Sequence, residues 1–71
     1  MTDKVIRDAV YSIHGYNQFN VPIKRRREMT RKFLEAKGRI EIYIERHGME
    51  FEEALNIALG VMIGVRSDSD L

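Results

Sequence analysis

The sequence predicts an all-α fold, a three-helix bundle with a long central helix, and two observations lead to it. Apolar residues recur at intervals of three and four along most of the 71 residues, a spacing that keeps side chains on one helix face. Two of these stripes are followed by glycines, Gly15 and Gly48, where helices commonly end. We therefore expect one helical domain, residues 1–66, and a disordered acidic tail, residues 67–71.

Self-association is the remaining way to stabilise so short a chain. The sequence contains no cysteine, which excludes disulfides and thiolate zinc sites. Domains of this size have marginal cores and often depend on a disulfide, a metal or a second subunit. We therefore expect a homodimer.

The first helix is predicted over residues 3–14, with Thr2 as its N-cap and Gly15 at its end. Its predicted buried stripe consists of Ile6, Ala9, Val10 and Ile13. The segment that follows contains two aromatic residues, Tyr16 and Phe19. We expect both aromatic side chains to anchor this loop on the core.

The central helix is predicted from Pro22 to about His47. Its apolar seam keeps a regular 4–3 spacing through Met29, Phe33, Ala36, Ile40, Tyr43 and His47. Gly38 leaves an alternative open, because the helix would end there if residues 39–45 formed a strand in an α+β fold. A helix-interior glycine costs only about 1 kcal/mol relative to alanine, and the seam crosses Gly38 without a change of phase. One continuous helix is therefore favoured.

The third helix is predicted from about Glu50 to Val65 or Arg66. Its apolar residues nearly surround it, which is typical of a helix buried on more than one side. We expect one side to meet a second subunit or a partner protein, through Ile57, Gly60, Val61, Ile63 and Gly64. In this set Gly60 and Gly64 form a small-xxx-small pair, a spacing that lets two helices approach closely.

Charge is distributed unevenly along a chain whose formal net charge is only +1. Residues 24–32 carry a net charge of +5, and residues 48–71 carry −4. The positive residues, called the basic block below, are Lys24, Arg25, Arg26, Arg27, Arg31 and Lys32. Arginine forms bidentate hydrogen bonds with phosphate, so the backbone of DNA or RNA is a candidate partner. The alternative is that the acidic end of this chain, or of another, neutralises the block.

Two functions follow from these patterns. The first is a small non-enzymatic regulatory protein that binds nucleic acid through the basic block. The alternative is an inhibitor or adaptor that docks on a partner protein through the apolar face of the third helix. A helix-turn-helix across residues 44–59 is disfavoured, because Glu50, Glu52 and Glu53 would begin the recognition helix and meet phosphate.

The sequence predicts no catalytic, metal or cofactor site. His14 and His47 each precede a glycine at a predicted helix end, and no further ligands converge on either of them. The longest apolar run, residues 57–65, is too short to span a bilayer, and the first residues lack a signal-peptide pattern. We therefore expect a cytoplasmic protein that is not an enzyme and does not bind a membrane.

Overall fold

The computed structural model describes residues 2–67 and Ser69, and within them all regular secondary structure is helical, without a strand. Helix α1 spans Thr2–Ile13, α2 spans Ile23–His47 and α3 spans Phe51–Met62. The predicted all-α class is confirmed, and the alternative strand at residues 39–45 is wrong. Of the predicted tail, Asp68, Asp70 and Leu71 lie outside the described residues.

Helix α2 continues through Gly38 because its buried seam is unbroken on both sides. Met29, Ala36, Ile40 and Tyr43 are all buried on one face. Burial of this seam outweighs the cost of about 1 kcal/mol for the exposed glycine. With 25 residues and a rise of 1.5 Å per residue, α2 accounts for the molecule's longest dimension of 36 Å.

The core lies where α2 packs against both shorter helices. All its members are apolar, and three are alanines, whose small side chains let the helices lie close together. The central cluster consists of Ile6, Val10, Ala36, Ile40, Tyr43, Ala54 and Ala58. The predicted stripe of α1 is therefore confirmed at Ile6 and Val10, whereas Ala9 and Ile13 are half-buried.

Helix α3 ends at Met62, three or four residues earlier than predicted. Gly64 has a φ of 85°, a left-handed conformation that side chains other than glycine rarely adopt. Its N–H donates to the carbonyl of Val61 at 3.2 Å, and the N–H of Val65 donates to that of Gly60 at 3.0 Å. This pair of bonds closes the last turn in a Schellman motif, although the apolar pattern continues beyond it.

The connection between α1 and α2 is held by polar groups rather than by both aromatic side chains. The Asn17 N–H donates to the Asn20 Oδ1 at 2.6 Å, and the Phe19 N–H donates to the Asn17 Oδ1 at 2.8 Å. Tyr16 is half-buried, but Phe19 is 89% exposed. The prediction that Phe19 anchors the loop on the core is therefore wrong.

Candidate functional site

The basic block forms the first turns of α2, and most of it is open to solvent. At 100° per residue, Lys24, Arg27 and Arg31 fall on one face, opposite the buried seam. We call this side the outer face of α2. Arg25 and Arg26 are also exposed but lie on other sides of the helix, with Arg25 at the same angular position as the buried seam, whereas Lys32 is half-buried. The structure thus exposes five of the six predicted basic residues around the first turns of α2, three of them on the outer face.

Most of these charges are not neutralised inside the molecule. Arg25 is the exception, because its Nη1 lies 2.8 Å from the Glu28 Oε2. Hydrogen bonding to Arg25 is the main cause that lowers the pKa of Glu28, and the same contact raises the pKa of Arg25. Within residues 2–67, no carboxylate forms an ion pair with the remaining exposed members of the block, Lys24, Arg26, Arg27 and Arg31.

The chain layout explains why the acidic first turn of α3 does not neutralise the block. Glu50, Glu52 and Glu53 directly follow the end of α2, whereas the basic block lies at its beginning. The intervening 25-residue helix separates the two by most of its length. All three glutamates are exposed, so the two ends of the molecule carry opposite charge.

An exposed apolar pair that precedes the block in the chain was not predicted from the sequence. Phe19 is 89% exposed and Ile23, the first residue of α2, is 81% exposed. The hydrogen bonds of Asn17 and Asn20 hold Phe19 in a defined turn, and the Arg7 Nη2 donates to the Gln18 Oε1 at 3.2 Å. The Asn-x-x-Asn spacing is the only sequence signal for this turn.

An open cavity of about 440 Å³ lies against this turn. Its lining residues come from α1 and from the connection between α1 and α2: Asp8, Ser12, Tyr16, Asn17, Gln18 and Phe19. Phe19 therefore forms part of a concave surface that also contains a carboxylate, a hydroxyl and amide groups.

The interface predicted on α3 is only partly present as a surface. Ile57 and Val61 are half-buried, and Ile63 is 51% exposed. Gly60 is buried beneath Arg66, since a Cβ added to Gly60 would lie 2.9 Å from the Arg66 Cδ. Gly64 lies beyond the end of α3. A close helix crossing at Gly60 and Gly64, within the fold or between two chains, thus stays a prediction, and in the described chain the Arg66 side chain covers Gly60.

The two histidines occupy the helix ends where they were predicted. The His14 Nδ1 donates to the Val10 carbonyl at 2.9 Å, and the His47 ring packs edge-on against Tyr43 with centroids 6.3 Å apart. In the part of the chain that the structure describes, no three acidic or histidine side chains come together to hold a metal ion.

Comparisons with known proteins give no family for the chain. No family model matches it, and no curated protein and no solved structure is significantly similar to it. Among the described residues, no helix combines the length and the apolar character needed to cross a membrane.

Proposed function

We propose that this protein is a non-enzymatic regulator that binds nucleic acid through the basic block. The supporting observation is the group of four exposed cations, Lys24, Arg26, Arg27 and Arg31, without ion pairs within residues 2–67. Contacts from such side chains to phosphate release condensed counterions, which is the main source of sequence-independent affinity for nucleic acid. Phosphate contacts fix the position of the protein but do not select a sequence.

The exposed apolar pair supports single strands as the preferred ligand. Phe19 lies four residues before Ile23, which begins the helix that carries the block. An exposed aromatic ring that is close in sequence to cations offers a stacking surface for an unpaired base. A duplex keeps its bases stacked within the helix and does not offer them to Phe19. We therefore propose that the phosphates contact the block while a base stacks on Phe19.

The test is the binding of labelled single-stranded DNA, single-stranded RNA and duplex DNA across a salt series. Four phosphate contacts predict a log–log slope of about −3 for single strands and about −3.6 for duplex. Arg27→Glu should weaken binding and reduce the slope. Arg46→Glu is the matched control, because Arg46 is also exposed on α2 but lies in its last turn.

Two outcomes would contradict the proposal. The first is an absence of binding at low salt to all three nucleic acids. The second is an equal loss of affinity in both variants, since this would show that only the total charge matters.

A second function, docking on a partner protein, is supported by the exposed apolar residues directly after α3. Ile63 is 51% exposed and Val65 is 73% exposed. Ile63→Asp should abolish capture of a partner protein but leave nucleic-acid binding unchanged. If the basic block is the functional surface, Arg27→Glu should weaken nucleic-acid binding and leave capture of a partner protein unchanged. Ile57→Asp is a less suitable test, because Ile57 is half-buried against the core.

A further inference from the structure

The outer face of α2 carries an apolar strip that nothing else in the described chain covers. Leu34 is 56% exposed and Ile42 is 45% exposed. They lie one turn before and one turn after Gly38, where an added Cβ would have no atom within 4 Å. All three lie opposite the buried seam of α2, because successive residues turn by 100°.

Charged side chains continue this strip in both directions. Arg31 lies seven residues before Gly38 and Glu45 lies seven residues after it, each about 10 Å away along the helix. Both side chains are exposed, and neither forms an ion pair within residues 2–67. The face is therefore basic at one end, apolar in the middle and acidic at the other end.

We infer that two copies of the chain associate through this face, with their α2 helices antiparallel and a two-fold axis at Gly38. Leu34 then packs against Ile42 of the second copy, and Arg31 faces Glu45 of the second copy. The symmetry repeats each contact, because a two-fold interface uses the same surface on both chains. At Gly38 the absence of a side chain lets the two backbones approach closely.

The charge pattern identifies the occupant of this face as a second copy in antiparallel orientation. A parallel pair would set Arg31 against Arg31 and Glu45 against Glu45, and like charges in register oppose association. In the antiparallel pair each end meets its opposite. This interface differs from the one predicted on α3, where Arg66 covers Gly60.

The proposed dimer pairs Arg31 with Glu45 of the second copy, so Lys24, Arg26 and Arg27 remain for phosphate on each chain, and the salt slope for four contacts applies to the monomer. Lys24 lies fourteen residues from Gly38, about 21 Å along the helix axis, and so lies well outside the Arg31 contacts. The dimer does not depend on nucleic-acid binding. Its test is therefore made without nucleic acid, and its failure would leave the proposed function untouched.

The experiment is a charge exchange followed by sedimentation equilibrium from micromolar to millimolar concentration. The unmodified protein should reach twice the monomer mass as its concentration rises. Arg31→Glu alone and Glu45→Arg alone should each raise the dissociation constant about tenfold. The double variant should restore dimerisation. Arg31 and Glu45 are about 21 Å apart along one helix, so restoration requires contact between two chains.

Control variants and a second type of substitution complete the test. Arg26→Glu and Glu53→Arg change the same charges on other exposed positions and should leave the dissociation constant unchanged. Leu34→Lys should also dissociate the dimer, by removing an apolar contact. Circular dichroism should show unchanged helix content throughout, because every substituted side chain is exposed.

Three results would overturn the inference. The first is a monomer at every concentration, which would leave the face for a different partner. The second is a dimer that neither single charge reversal weakens. The third is a double variant that associates no better than the single variants.

Discussion

Replacing Gly38 by alanine should make the protein more stable, although the residue lies in the middle of its longest helix. Gly38 has a helical conformation and is exposed, and no atom lies within 4 Å of an added Cβ. The substitution therefore introduces no clash, and it removes the entropic cost of fixing a glycine in a helix, about 0.5–1 kcal/mol. A domain of this size gains about 4–8 °C in Tm per kcal/mol, so we expect an increase of about 2–8 °C.

Gly48→Ala provides the matched control, with the opposite expected sign. Space around Gly48 is equally open, but its φ is 64°, and an L residue other than glycine is strained there by about 1–2 kcal/mol. Thermal unfolding followed by circular dichroism at low protein concentration measures both variants as monomers. A lower Tm for Gly38→Ala would refute a continuous α2 with open space at this residue.

Three further predictions concern the core, the loop and an ion pair. Ala58 is fully buried, so Ala58→Leu should overpack the core and lower the free energy of unfolding by about 1–3 kcal/mol in denaturant titration. Phe19→Ala should weaken single-strand binding by about 1–3 kcal/mol and leave Tm unchanged, since Phe19 is 89% exposed; a large Tm loss would show that it is structural. Asp3→Asn removes the exposed ion pair with Lys37, whose atoms lie 3.2 Å apart. The free energy of unfolding should change by less than about 1 kcal/mol, because exposed ion pairs contribute little. A larger loss would contradict a surface role for this pair.

The continuation of α2 through Gly38 was predictable from the sequence, because burial depends on the angular position of each residue around the helix axis. The seam from Met29 to Tyr43 keeps the same face on both sides of Gly38, and no strand register satisfies that spacing. The end of α3 was less predictable. Ile63 and Val65 continue the apolar pattern, but left-handed Gly64 ends the helix. A hydrophobicity pattern contains no information about the sign of φ.

The candidate site was predictable in its residues but not in its surroundings. The sequence identified the basic block, yet the exposure of Phe19 depends on how the connection between α1 and α2 folds. The half-burial of Lys32 follows instead from its position on the seam side of α2. The sequence also left open whether the acidic residues of α3 would neutralise the block. That outcome depends on the length of α2, which keeps Glu50 and Arg27 near opposite ends.

The beginning of α2 carries charge that opposes its own helix macrodipole. Pro22, the N-cap residue, provides no side-chain hydrogen bond, and the first turn contains no acidic residue. Positive side chains instead occupy the helix N-terminus, which is the positive end of the macrodipole. This repulsion lowers the stability of the folded protein. Salt screens this repulsion, so moderate salt should raise Tm while it weakens binding to nucleic acid. A bound polyanion should stabilise α2 for the same reason, because it supplies the negative charge that the sequence leaves out of this turn.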